Sequence, residues 1–191
     1  KIIFQNSSDK VFIQNLCKID EQRCYLIKGS GVNLKKYRFT KSLSKEQKVL
    51  LPARIVRSKG IIEFIKAAKL LKGRARFIIC GDYDLEAKDY IDKDYINKNV
   101  NEKVIEHWGF MKNMNEVFTE STIVVLPSYR EGLPKALCEA SASGKPIVTT
   151  DVPGCRDSII NEKTGFLIPP RNHFLLMKAI DKLLKSESLR L

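Results

Sequence analysis

Ile123-Val-Val-Leu-Pro-Ser-Tyr-Arg-Glu-Gly-Leu-Pro-Lys-Ala-Leu-Cys-Glu139 reads as a buried strand that ends in a turn and opens a helix. The branched apolar run Ile123 to Leu126, stopped by Pro127, fits a strand covered on both faces. Gly132 supplies the turn. Pro134 suits a first helical turn, where its missing N–H would have no intrahelical partner. With a helix start near Leu133, the free backbone N–H groups at that end form an anion site. Glu131 stands before the anion site and Glu139 beyond it, within about 12 Å of each other by helical rise. A ligand with a charged middle and hydroxyls at both ends has the matching layout.

The same alternation of apolar runs and helical periods extends in both directions. Upstream, Val49 to Ala53 reads as a strand, and Ile61, Ile62, Phe64, Ile65, Ala68 and Leu71 recur at helical spacing. Gly73 is placed to cap that helix, and Arg76 to Cys80 is the next strand. Asp84 to Val100 reads as helix and loop, Val104 to Trp108 as a strand, and Met114 to Thr119 as a short helix. Downstream, the helix near Leu133 to Ser143 leads to a strand at Ile147 to Thr149. A short element near Cys155 to Ile160 follows, then a strand at Gly165 to Ile168. Phe174, Leu175, Ala179, Ile180, Leu183 and Leu184 make a final amphipathic helix. At the start of the chain, strands at Lys1 to Phe4 and Cys24 to Ile27 flank a helix opened by the capping cluster Ser7-Ser8-Asp9. Phe39 to Lys48 is polar and charged, the least ordered-looking stretch. This pattern predicts an α/β protein with an open, doubly wound parallel sheet that binds ligands past the C-terminal ends of its strands. Arg54, Gly81, Phe110 and Glu131 all fall just past predicted strands.

Six segments, each weak alone, stand in one order. They are Lys28-Gly-Ser-Gly-Val-Asn-Leu34, Leu51-Pro-Ala-Arg-Ile-Val-Arg-Ser-Lys-Gly60, Phe77-Ile-Ile-Cys-Gly81, His107-Trp-Gly-Phe110, Pro127-Ser-Tyr-Arg-Glu-Gly132 and Thr150-Asp-Val-Pro-Gly-Cys-Arg156. In that order the chain resembles the retaining, nucleotide-sugar-dependent glycosyltransferases of family 4, which have the two-domain GT-B fold. The resemblance covers nearly the whole chain and implies the Rossmann-like C-terminal half of such an enzyme. Residues 1–29 are then the tail of an N-terminal domain with the interdomain crossover, and residues 30–191 the nucleotide-sugar-binding domain. It also implies an N-terminal domain of similar size outside this sequence, a UDP-sugar as donor, and hexosyl transfer to a polysaccharide or lipid-linked acceptor. Neither metal nor cofactor is expected. Tyr129-Arg-Glu-Gly-Leu-Pro134 and Thr149-Thr-Asp-Val-Pro-Gly-Cys-Arg156 look most like enzymes of bacterial surface polysaccharide, including lipopolysaccharide and capsule.

Carried over residue by residue, the resemblance makes Arg54, Lys59 and Glu131 the catalytic candidates. Breaking a bond to a diphosphate builds negative charge that cations and backbone donors must offset. An arginine gives forked contacts to phosphate oxygens, and a lysine acts as a point charge. Glu131 is assigned to the hexose, where it binds hydroxyls and favours positive charge at the anomeric carbon. Glu139, set among Leu137, Cys138 and Ala140, needs donors for its carboxylate, and the resemblance supplies two ribose hydroxyls. Gly132, Leu133, Lys135 and Ala136 bring the helix start to the donor. Met111, with Phe110, belongs to the loop facing the base. Gly81 is a ligand-facing turn or a plain tight turn. Two departures stand out. Pro134 and Tyr83 replace glycines common in relatives, and Pro134 has no N–H to offer a sugar. His107 and Trp108 read as structural, and Asp151 and Arg156 as shaping a loop.

The balance of 34 basic against 22 acidic residues, a net +12, favours anionic partners: nucleotide diphosphates or the anionic inner face of a membrane. The lysines are dispersed and no aromatic-basic module appears, which argues against nucleic acid. Five cysteines without a Cys-x-x-Cys pair fit reduced thiols and the cytoplasm, with Cys80 and Cys138 as core residues. His107 and His173 are too few for a metal constellation. No apolar run approaches the roughly 18 residues of a membrane span. The chain opens on Lys1 in what reads as mid-domain sequence, so donor binding without efficient turnover is expected of it alone. Two rivals remain: a non-catalytic nucleotide-binding or regulatory module, and a nicotinamide-dependent oxidoreductase. The second lacks Gly-x-Gly-x-x-Gly after any strand.

Overall fold

Val49, Leu50 and Leu51 are fully buried, and so are Ile123, Val124 and Val125 beside them. Residues of this kind exclude water from both faces of a sheet, which requires helices on each side. A computed structural model describes residues 1–39 and 46–190 and has that arrangement. Its elements are β1 (Ile2–Phe4), α1 (Ser7–Cys17), β2 (Cys24–Leu26), β3 (Lys48–Pro52), α2 (Ile61–Leu70), β4 (Arg76–Cys80) and α3 (Lys93–Asn101). They continue as β5 (Glu106–Gly109), α4 (Met114–Glu120), β6 (Ile123–Leu126), α5 (Lys135–Ala142), β7 (Ile147–Thr150), β8 (Gly165–Ile168) and α6 (His173–Lys185). Six strands form one parallel sheet in the order β5-β4-β3-β6-β7-β8. The chain moves outward from β3 to one edge, then returns to β6 and moves to the other. The crevice beside the ends of β3 and β6 is therefore the switch point where such sheets bind ligands.

Alternate side chains of the central strands feed two cores. Val49, Leu51, Ile79 and Val125 pack with Phe64 and Ile65 of α2 and Leu176 and Ile180 of α6. Leu50, Ile78, Val124 and Leu126 pack with Val117 and Phe118 of α4 and Leu137 and Ala140 of α5.

Several element boundaries differ from the expected ones. β5 starts at Glu106 rather than Val104, because the N–H groups of Val104 and Ile105 turn back to the Asn99 carbonyl at the end of α3. The α2 cap is Leu71, whose N–H bonds the carbonyls of Ala67 and Ala68, so Gly73 (φ +83°) lies in the following turn. α5 starts at Lys135 rather than Leu133, with Pro134 extended at the N-cap position. A residue before proline is driven out of the helical region, and this excludes Leu133. The element near Cys155 is one 3₁₀ turn, Arg156–Ser158. Most of the polar stretch from Phe39 to Lys48 lies outside the described residues.

The first segment stands apart from the main sheet. β1 and β2 pair in parallel with α1 between them, and α1 buries none of its residues. The segment meets the larger unit at the turn carrying Glu131.

Candidate active site

Gly81 fixes the mouth of the crevice. A Cβ there would lie 2.2 Å from the Ala53 carbonyl oxygen, so only glycine lets the ends of β3 and β4 approach this closely. Beyond that contact Arg54 emerges, largely exposed, and pairs with Asp84. The His107 ring nitrogen lies 2.8 Å from the Gly81 carbonyl and its ring meets Tyr83 edge-on, which steadies the same turn.

Arg54, Gly81, Met111, Ala136 and Glu139 line one cleft of about 390 Å³ at these strand ends. Phe110 joins them at the rim, with its N–H on an Asp82 carboxylate oxygen at 3.1 Å. Glu139 is only 8% exposed, and the Lys135 ammonium lies 3.8 Å from it. The Tyr37 phenol, pushed up to about 12 by burial and then by its hydrogen bond to Glu139 and the carboxylate charge, supplies a donor. Cys80 behind the cleft is pushed up to about 11, mainly by burial, and packs its sulfur 3.8 Å from that of Met114. Such a thiol is core, not a nucleophile. The first intrahelical bonds of α5 run from Leu137 and Cys138 to the Pro134 carbonyl, which leaves the N–H groups of Lys135 and Ala136 as its first-turn donors. These N–H groups thus lie two residues later than the first-turn donors of a helix started at Leu133.

Lys59 and Glu131 do not line that cleft but meet each other. The ammonium lies 2.5 Å from Glu131 Oε1, and Ser128 Oγ donates to the same oxygen at 2.7 Å. Two contacts bring the pair together. Gly60, at φ +73°, lets the entrance of α2 press on Pro127, where a Cβ would lie 2.2 Å from the carbonyl oxygen. Tyr129 donates its N–H to the Ser58 carbonyl (2.8 Å) and its hydroxyl to Glu63 of α2 (2.9 Å). Asp89 holds the other side of Lys59's turn by accepting the Ser58 N–H at 2.7 Å, and hydrogen bonds from Ser58 lower its pKa. Gly132 faces Gln5, and Leu133 packs against Gly29.

The candidate residues therefore divide into a cleft group and a Lys59–Glu131 group, joined by the turn and first residues of α5. Asp84, Tyr37, Ser128 and Asp89, which the sequence did not single out, are the partners that orient them. Asp151 and Arg156 pair with each other at 2.8 Å in the neighbouring loop. A second cavity, about 430 Å³ between Gly144, Lys163 and Arg190, lies at the far end of α5 and takes in none of these residues. Among the described residues, no helix is long and apolar enough to cross a membrane.

Residues 34–191 match the model of the family glycosyl transferases group 1. The chain is 34% identical, over 100% of its length, to N,N'-diacetylbacillosaminyl-diphospho-undecaprenol alpha-1,3-N-acetylgalactosaminyltransferase of Campylobacter jejuni, and covers 53% of that protein. It is 32% identical, over 72% of its length, to capsular polysaccharide biosynthesis glycosyltransferase CapM of Staphylococcus aureus, and covers 36% of it. The chain thus spans about half or less of these curated relatives. Among solved structures, a glycosyltransferase from Rickettsia africae superposes with a TM-score of 0.86 at 21% identity, covering 100% of this chain and 55% of that one. HepE of Anabaena, in complex with UDP and glucose, gives 0.86 at 18% identity, covering 98% of this chain and 54% of that one. At such identities the likeness concerns the fold, and the fold is half of a GT-B enzyme. Sheet order, a cleft at the switch point and a family match over most of the sequence agree, and the chain belongs to the glycosyl transferases group 1 family.

Proposed function

We propose that this chain is the donor-binding C-terminal half of a retaining glycosyltransferase that moves a hexose from a UDP-sugar to a polysaccharide or lipid-linked acceptor. In this reading residues 30–191 bind the donor, and residues 1–29 are the tail of an N-terminal domain and the crossover. The observation that carries it is the cleft in which Arg54, Gly81, Met111, Ala136 and Glu139 meet beside the start of α5. Ribose hydroxyls donate to Glu139, the base lies by Phe110 and Met111, and the diphosphate lies at the Lys135 and Ala136 N–H groups beside Arg54. The hexose then points toward Lys59 and Glu131.

The bond from the anomeric carbon to the diphosphate oxygen breaks with its electron pair going to that oxygen. The acceptor hydroxyl oxygen bonds the anomeric carbon on the same face, and the hydroxyl proton passes to the departing diphosphate. Arg54, Lys59 and the helix N–H groups offset the charge left on the phosphate, and Glu131 offsets the positive charge at the anomeric carbon. These groups carry the charge in a mechanism written without a metal. Support for uracil comes from HepE, solved with UDP and glucose. Support for a lipid-linked acceptor comes from the undecaprenol-linked name of the Campylobacter relative. With a net +12, a peripheral position at an anionic inner membrane face is consistent with such an acceptor.

Calorimetric titration with UDP, GDP and ADP tests the first half of the proposal. UDP binds, and Glu139→Ala weakens it by about tenfold, the scale of one charge-assisted contact. A cleft that ignores all three diphosphates refutes the reading. Transfer by the full-length protein in the presence of chelator, with the product anomer read by NMR, tests the second half. An inverted product, or activity abolished by the chelator, overturns it.

A further inference from the structure

The turn that carries Glu131 is held from two sides, and one of them comes from outside the main sheet. On the sheet side, the Pro153 carbonyl accepts the Glu131 N–H at 3.3 Å. Gly154 lies so close that a Cβ would sit 2.4 Å from the Glu131 carbonyl oxygen. On the other side stands Asn6, between β1 and α1 and only 1% exposed. Its Oδ1 accepts the Asp9 N–H at 2.7 Å, the N-cap bond of α1. That bond sets the plane of the amide and aims Nδ2 at the turn. Nδ2 lies 2.9 Å from the Gly132 carbonyl oxygen, 3.4 Å from that of Glu131 and 2.9 Å from Asp9 Oδ2. Asp9 is in turn paired with Arg130, whose guanidinium lies 5.8 Å from the Phe12 ring centroid.

We propose that Asn6 is a positioning residue for Glu131: one side chain caps α1 and holds the carbonyls of the Glu131–Gly132 turn, so that docking of residues 1–29 completes the aim that Lys59 and Ser128 give the carboxylate. This rests on the reading of Glu131 as the group beside the hexose. The peptide that follows Glu131 helps set the direction of its Cα–Cβ bond, and Asn6 Nδ2 reaches the carbonyl of that peptide at 3.4 Å and the next one, that of Gly132, at 2.9 Å. Removing the donor leaves two partly buried carbonyls without it and loosens the turn on that side. The nucleotide cleft, built from Arg54, Gly81 and Glu139, has no part in this contact.

The two duties of Asn6 can be separated. Asn6→Asp keeps a cap of equal quality but sets a carboxylate against two carbonyls and the Asp9 carboxylate, and Asn6→Ser keeps a cap that is uncharged and too short to reach them. In the full-length enzyme, both variants are expected to lower kcat by about tenfold or more while the UDP Kd stays within about twofold, as a displaced reacting group predicts. Wild-type kcat in Asn6→Ser overturns the proposal. So does a UDP Kd that worsens in step with kcat, the mark of general disruption. Should Asn6→Asp fail to fold, Asn6→Ser decides alone. Glu131→Gln serves as the control: wild-type turnover there means that the hexose reading has failed, whereas an inactive Glu131→Gln beside an active Asn6→Ser means that only the role of Asn6 has.

Discussion

Replacing Lys59 by Met and Glu131 by Gln, singly and together, measures the contact on which the arrangement at the turn depends. The side chains are 22% and 12% exposed and 2.5 Å apart, so the pair is neither a surface bridge nor fully buried. At an effective dielectric near 20, unit charges about 4 Å apart attract by about 4 kcal/mol before desolvation and ordering are subtracted. Exposed pairs retain up to about 1 kcal/mol, and a buried charge stripped of its partner costs about 3 to 5 kcal/mol. Lys59→Met leaves the Glu131 carboxylate with the Ser128 hydroxyl as its remaining bond at Oε1. An intermediate cost of about 2 kcal/mol follows, with a similar or smaller one for Glu131→Gln. The double variant removes both charges and falls short of the sum by about 1 to 2 kcal/mol. Urea unfolding of the four proteins gives these values from the midpoints, provided that the m-values agree. Additivity within about 0.5 kcal/mol would mean that the two side chains do not sense each other, and the reasoning about the turn would fall with it.

Gly81→Ala forces a Cβ to within 2.2 Å of the Ala53 carbonyl, so the ends of β3 and β4 must part. The expected cost is about 1 to 3 kcal/mol, or roughly 2 to 10 °C in Tm at this chain length, together with weaker UDP binding. Unchanged Tm and affinity by scanning fluorimetry and calorimetry would reject the close approach. Tyr37 and Tyr129 are each pushed up to about 12 by burial first and by hydrogen bonds to Glu139 and Glu63 second. In the unfolded chain they ionise near 10, so between about pH 10 and 12 the unfolded state loses protons first and stability falls as pH rises. Below that window they contribute no slope. Tyrosinate absorbance and the pH dependence of unfolding check this, and Tyr129→Phe should flatten the fall. Among the cysteines, Cys17 is exposed, whereas burial raises the pKa of Cys80, Cys138 and Cys155. A thiol reagent at neutral pH should label Cys17 first, and peptide mass mapping that finds Cys80 first would contradict the buried cleft floor.

The sheet was legible because its inner strands are unbroken apolar runs, Val49 to Leu51 and Ile123 to Leu126, each too short for a buried helix and each stopped by a proline. Boundaries were less legible where a distant or neighbouring bond decides them. Val104 and Ile105 look like strand, yet their N–H groups are claimed by Asn99. Pro134 suits a first helical turn, yet it also bars Leu133 before it from the helical region, so α5 starts at Lys135. The same division holds at the site. Arg54, Gly81, Glu131 and Glu139 announce themselves by standing just past strands or across a helix start. Asp84, Tyr37 and Asn6 carry no such signal, because each acquires its partner through a fold contact that spacing along the chain does not encode.

Each candidate cation near the cleft already has an acid beside it: Arg54 with Asp84, Lys59 with Glu131 and Lys135 with Glu139. A bare anion entering here gains the cations but also leaves carboxylates that have lost their positive partners, and an orphaned, largely buried carboxylate is costly. A ligand that brings hydroxyls along with its phosphates repairs that loss, because ribose and hexose hydroxyls can donate to Glu139 and Glu131 while the diphosphate takes the cations. Affinity should therefore rise steeply from inorganic pyrophosphate to UDP to UDP-sugar, with much of the gain from groups that carry no charge. In a competition titration, pyrophosphate should displace UDP only at concentrations about a hundredfold above UDP's own, roughly 3 kcal/mol. Equal potency would mean that the site reads charge alone and that Glu139 has no part in selecting the nucleotide.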